Sequence, residues 1–167
     1  MVFSHVKTHS SAAGDARILA IDYGRRRIGL AVSDELAITA VPLATLERKN
    51  RQDDIRRLRE ITRKYQITLI ILGSPLHLDG RAGEMAKEVS RFASRIKKEL
   101  GLPVKLRDER LTTWEAEQTL KEHSGRKSKK MHLDSVAAAI LLRDFLDGNH
   151  GHESAFELKP VLREDEE

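Results

Sequence analysis

The stretch from Gln66 to Leu72 ends in ITLIIL, a strand-like run too apolar to face water, and it reads as a buried central strand. Its neighbours have a different period. DDIRRLREITRKY (53–65) places Ile55, Leu58, Ile61 and Tyr65 at helical spacing. GEMAKEVSRFASRIKKELG (83–101) puts Met85, Val89, Phe92, Ile96 and Leu100 on one stripe, with Gly101 as its stop. A buried strand between two amphipathic helices implies a sheet covered by helices.

Upstream, ILAID (18–22) and RIGLAVSD (27–34) read as two strands joined by the YGRRR turn. VPLATLER (41–48) reads as a third, with Pro42 at its start or on an edge. The short connections suggest an antiparallel meander. Downstream, VKLRDERLTT (104–113) is the next strand, WEAEQTLKEH a short helix and GRKSKK (125–130) a basic loop. LDSVAAAILLRDFLDG (133–148) is a helix burying Leu133, Val136, Ala137, Ile140, Leu141 and Phe145. The expected order is βββαβαβαα: an α/β fold with a five-stranded mixed sheet flanked by helices.

A chain of 167 residues with 40% hydrophobic content supports one core, so a single domain over 17–147 is expected, between a disordered leader (1–16) and an acidic flexible tail (148–167). The absence of cysteine excludes disulfides, a thiol nucleophile and thiolate zinc sites, and fits a reducing cytoplasm. The N-terminal stretch lacks a signal-peptide apolar run, and no other stretch approaches the roughly 20 apolar residues of a membrane span. A cytoplasmic protein with no membrane partner is the expectation.

The net charge of +4 conceals an asymmetry. Arg17 to Asp147 carries 27 Lys and Arg against 19 Asp and Glu, whereas the tail beyond Gly148 has two basic and six acidic residues. A basic body favours phosphate-rich partners through counterion release.

Three acids stand out. Asp22 ends the first strand, Glu109 lies in VKLRDERLTT and Asp134 begins the last helix. Each has an ordinary alternative: Asp22 starting a turn, Glu109 pairing with Arg107 or Arg110, Asp134 capping its helix. Brought together at one rim, however, they form an oxygen-rich site suited to Mg²⁺ or Mn²⁺. Two such ions about 4 Å apart serve phosphodiester hydrolysis, activating water and stabilising the leaving oxygen.

IDYGRRRIGLAVSD, LGSPLHLDG, DERLTT and LDSVAAAIL, in this order and spacing, resemble the YqgF family of pre-16S rRNA nucleases, also called Holliday junction resolvase-like proteins. The resemblance spans about residues 17–147 and implies a ribonuclease H-like fold. It also implies an acidic catalytic and metal site at Asp22, Glu109 and Asp134. The sequence departs from many members at His77, where they carry Asn, and in the spacing of the lysines before Asp134.

Other residues are candidates for substrate contact, each with a structural alternative. Gly24 and Gly29 suit a tight turn and a close backbone approach. Ser74 ends the central strand, and His77 lies in the segment after it. Thr112 and Thr113 orient Glu109, touch phosphate or cap the next helix. Arg126, Lys127, Lys129 and Lys130 grip a nucleic-acid backbone or form a solvated loop, with the helix bearing Arg56, Arg57, Arg59 and Arg63 as a second basic track. Trp114 and Tyr23 are too few for a base-stacking platform. The resemblance implies 5′-end maturation of pre-16S rRNA. The alternatives are resolution of four-way DNA junctions, noncatalytic RNA binding in ribosome assembly, and a nucleotide-dependent kinase or ATPase, because IDYGRRRIGLAVSD also resembles the first phosphate-binding hairpin of the actin and sugar-kinase superfamily, whose second domain this length does not accommodate. Monomer and dimer remain open, a twofold dimer favouring the junction substrate.

Overall fold

The computed structural model describes residues 16–74, 83–108 and 129–148, with side chains in the last stretch from Leu133 onward. The expected leader and tail, the helix over WEAEQTLKEH and most of the GRKSKK segment lie outside the described residues.

β1 (Arg17–Tyr23) and β2 (Arg27–Ser33) form the expected antiparallel hairpin. Its turn closes when the Gly24 N–H donates to the Arg27 carbonyl at 2.9 Å. A Cβ at Gly24 would stand 2.6 Å from that oxygen, so the tight turn itself accounts for this glycine.

The expected strand over 41–48 is broken. β3 (Ala40–Pro42) and β4 (Leu46–Glu47) both pair antiparallel with β2, making the sheet six-stranded. Between them, Leu43, Ala44 and Thr45 oppose only Gly29 and Leu30, so the extra residue interrupts the ladder as a bulge does. Leu43 stays tied to β2 by donating to the Leu30 carbonyl at 2.7 Å.

α1 (Arg51–Lys64) begins where Asn50 accepts the Asp53 N–H at 2.9 Å, with Asp53 and Asp54 in its first turn and Arg63 and Lys64 in its last. Gln66, at φ 53°, redirects the chain into β5 (Ile67–Ser74). α2 (Glu84–Leu100) stops at left-handed Gly101, φ 68°, whose N–H reaches the Lys97 carbonyl. β6 (Val104–Asp108) follows, and the last described element is α3 (Lys129–Gly148).

The sheet order is β3-β2-β1-β5-β6, with β4 also on β2. β1, β5 and β6 run parallel and β2 antiparallel, a mixed sheet. ITLIIL is the interior strand expected, with Ile70, Ile71 and Leu72 fully buried.

The two faces are packed differently. Leu19, Ile21, Ile28, Leu30, Ile70 and Leu72 meet Ile55 and Leu58 of α1 and Val89, Phe92 and Ile96 of α2. On the other face, Ala20 and Ala31 give α3 a floor of small residues, against which it buries Ala138, Leu141, Leu142 and Phe145. Small residues let the helix axis approach the strands closely, and that approach positions the site.

α3 starts earlier than expected, at Lys129 rather than Leu133. Lys129 and Lys130 therefore belong to a helix and not to the basic loop, which is reasonable because lysine is a good helix former and the charge run contains no helix breaker after Gly125. Asp134 consequently lies beyond the first turn, and the capping explanation for it falls. None of the described helices is long and apolar enough to cross a membrane.

Candidate active site at the sheet rim

Because β1, β5 and β6 are parallel, their carboxyl ends share one rim, which carries Asp22 and Tyr23, Ser74, and Asp108. Open α/β sheets bind ligands at this end. Alternation along β1 sorts its side chains: Leu19 and Ile21 face α1 and α2, whereas Ile18 and Ala20 face α3. Asp22 continues the second series and points to the α3 face.

Asp22 pairs across the hairpin with Gly29, so both project to that face. A Cβ at Gly29 would lie 1.9 Å from the Asp134 carbonyl oxygen and 2.9 Å from its Cα. The α3 backbone thus fills the space a side chain at position 29 would take. Glycine brings Asp134, from the far end of the sequence, onto the strand pair that carries Asp22.

Arg27 completes the arrangement. Its Nε donates to Asp134 Oδ2 at 2.7 Å, with the two side chains 33% and 24% exposed. A charge-assisted bond of this kind fixes the carboxylate's orientation, while partial exposure keeps its contribution to stability within about 1 kcal/mol. The hairpin thereby holds Asp134 by two contacts, the glycine cradle and the guanidinium. Arg27 was hidden in sequence because YGRRR offers three consecutive arginines and nothing local singles out the third.

The remaining candidates separate. Ser74 is 8% exposed at the end of β5 and alternates with Ile70 and Leu72, which places it on the face opposite Asp22. Lys129 and Lys130 have helical backbones at the start of α3. Glu109, His77, Thr112, Thr113, Arg126 and Lys127 lie outside the described residues. Among the described residues no group of three His, Asp or Glu forms a metal-holding cluster. The two carboxylates present are hard oxygen donors, the set that suits Mg²⁺ or Mn²⁺.

Asp54, in the first turn of α1, is 1% exposed and binds Arg48 Nε at 2.9 Å. In sequence it reads only as a favourable charge at a helix N-terminus. Arg48 also donates to the Gly24 carbonyl at 3.1 Å and lies over the Tyr23 ring, 4.6 Å from its centroid. Burial works against the Arg48 charge, but its contacts with Asp54 and Tyr23 prevail and raise its pKa above the ordinary arginine value. This network fixes the β1–β2 turn next to Asp22.

A mixed sheet of this order, flanked by helices and carrying an acid at the end of its first strand, defines the ribonuclease H-like class. T. thermophilus RuvC, solved in complex with a Holliday junction substrate, superposes with a TM-score of 0.52 at 19% identity, covering 84% of this chain and 98% of that one. The Fowlpox virus resolvase, solved with Holliday junction DNA, gives 0.51 at 16% identity, covering 81% and 99%. At such identities the likeness establishes the fold.

The chain belongs to the RuvX Holliday junction resolvase family, whose model matches residues 16–148, and the YqgF resemblance is borne out. A relative from Syntrophus aciditrophicus, named as a candidate pre-16S rRNA nuclease, is 43% identical over 78% of this chain and 88% of its own length. One of the same name from Dictyoglomus turgidum is 42% identical over 78% and 94%. The protein is a member of a nuclease family.

Proposed function

We propose that this protein is a metal-dependent nuclease that hydrolyses phosphodiester bonds in 5′-end maturation of pre-16S rRNA in the cytoplasm. The observation that carries the reading is the Gly29 cradle, which sets Asp134 on the strand pair and face of Asp22. A glycine kept free of a side chain so that an acid-bearing helix can press onto an acid-bearing strand is what an oxygen-donor cation site needs.

In this reading Asp22, Asp134 and Glu109 hold Mg²⁺ or Mn²⁺. The cation supplies activation of water and neutralisation of the charge that develops on the scissile phosphate. Arg27 orients Asp134 and offsets part of the carboxylate repulsion. Arg126, Lys127, Lys129 and Lys130, just before Asp134 in sequence, draw the nucleic-acid backbone toward the acids, with Thr112, Thr113 and His77 as further contacts. Substrate specificity follows the names of the relatives in Syntrophus and Dictyoglomus.

The family description favours a second reading, cleavage of four-way DNA junctions, which calls for two coordinated sites in a twofold dimer. One preparation offered precursor RNA, unstructured single-stranded RNA and junction DNA, with Mg²⁺, Mn²⁺ or chelator, separates the readings. Metal-dependent cutting of the precursor is expected. Cutting of junction DNA alone would establish the second reading, and binding of RNA without any cutting would make the protein a noncatalytic assembly factor.

A further inference from the structure

Across the sheet from the acid pair lies a cleft of about 130 Å³ lined by Tyr23, Arg48, Arg51, Arg91, Phe92 and Arg95. Its floor is rigid: the Tyr23 and Phe92 rings pack with centroids 4.7 Å apart, and Arg48 covers Tyr23 while bonded to Asp54. Its rim is cationic. Among the described residues, neither Arg51 nor Arg91 forms an ion pair, and Arg95 has only a 3.6 Å contact with a half-exposed Glu99. Glu88, three residues before Arg91, is engaged by Arg25 instead.

Three features of this rim work against the isolated protein. Arg91 and Arg95 are four residues apart on α2, where like charges repel. Arg51 is the first residue of α1, where the helix dipole disfavours a cation. All three converge on one concavity with Arg48 already there. An anion in the cleft would relieve each of these costs at once. By contrast, Arg56 is paired with Asp53 and Glu60, Arg57 with Asp53 and Arg59 with Glu99, so the second basic track expected along α1 is largely engaged within the protein.

We propose that the Arg51–Arg91–Arg95 cleft is an anion subsite that seats a phosphate of the substrate strand, neighbouring the one at the acids. This rests on the reading of the substrate as nucleic acid. Tyr23, on the cleft floor, is the residue after Asp22 in β1, so their Cα atoms are about 3.8 Å apart and their side chains leave opposite faces of the sheet at one rim. A single strand bent over that rim meets both. The aromatic floor, already covered by Arg48, leaves the cleft to a phosphate and not to a stacked base.

The test uses the full chain and 3′-labelled oligoribonucleotides bearing a 5′-phosphate or a 5′-hydroxyl, with anisotropy read in chelator over a range of salt. Arg51→Gln/Arg91→Gln/Arg95→Gln is expected to weaken binding about tenfold at low salt and to flatten the log-log salt slope by about 0.7 for each phosphate the variant no longer neutralises. Lys64→Gln/Lys97→Gln/Lys98→Gln removes the same charge elsewhere and is expected to stay within about twofold of wild type, since distant charges are screened. A wild-type preference for the 5′-phosphate identifies a terminal phosphomonoester. Equal binding of both strands identifies an internal phosphodiester.

Inorganic phosphate should raise the melting temperature of the wild type and not that of the cleft variant. A cleft variant that binds no worse than the control, or phosphate stabilisation equal in both, overturns the subsite, as does a wild type without salt-dependent RNA binding. Loss of cleavage activity with cleft binding intact would count against the reaction alone.

Discussion

The carbonyl of Asp134 occupies the volume in which position 29 would carry a Cβ, and Gly29 is therefore a fitting surface for α3. Gly29→Ala is expected to lift the start of α3 from β2, lowering stability by about 1–3 kcal/mol, the usual cost of overpacking. It should also reduce metal-dependent cleavage. Gly101→Ala is the control. Its strain at φ 68° costs about 1 kcal/mol with nothing within 4 Å, and cleavage should be unchanged. Urea melts and cleavage rates on both variants check the pair; equal cleavage by the two would dissociate the cradle from the site.

Replacing Asp22 with Asn keeps the shape of the side chain and removes the charge that attracts a cation. Metal-dependent cleavage should disappear while the fold remains. Asp134→Asn should behave likewise, with a stability loss within about 1 kcal/mol because its bond to Arg27 is partly exposed. Cleavage by either variant at the wild-type rate and with unchanged metal dependence would make that acid structural.

Much of this architecture was readable in advance because burial enforces simple periods. ITLIIL could be nothing but interior, whereas the face that carries Asp22 was not legible in ILAID, an unbroken apolar run buried on both sides of the sheet. The bulge between Pro42 and Leu46 was not legible, since VPLATLER carries no glycine, its Pro42 fits an edge strand as well as a bulge, and the break depends on how the segment pairs with β2. The early start of α3 was masked by charge, which GRKSKK displays as strongly in a helix as in a loop. Arg27, Arg48 and the arginine cleft depend on residues distant in sequence, and no local pattern specifies which arginine meets which carboxylate.

Asp34 offers a test in acid. Its carboxylate accepts the Thr39 N–H at 3.0 Å and the Ile38 N–H at 2.7 Å, and these bonds lower its pKa below the ordinary 3.8. A depressed folded-state pKa contributes stability that is present above the unfolded value and lost as pH falls through the folded one. Asp34→Asn should therefore be less stable than wild type at neutral pH, with the gap closing below about pH 3.8. Urea midpoints across that range provide the measurement, and a pH-independent gap would show that the charge is irrelevant.

Neutralising Arg126, Lys127, Lys129 and Lys130 together should weaken nucleic-acid binding and reduce the salt slope by about 0.7–0.9 for every phosphate that these side chains neutralise in the wild type. Divalent metal binding should survive, because none of these side chains offers an oxygen. Unchanged affinity and slope, measured by titration at several salt concentrations, would move the substrate path away from the approach to α3.

The contact between Arg27 and Asp134 joins positions 107 residues apart. During synthesis the hairpin emerges early, but its acid partner is made only after β5, α2 and β6. The core under α1 and α2 shares no side chains with the one under α3, so much of the sheet can consolidate while the acid pair is still incomplete. Contacts of such long range form late and are among the slower events of folding. In the role proposed for Asp134, a nascent chain stays chemically unarmed until α3 docks, a built-in delay suited to a nuclease born on a particle made of RNA.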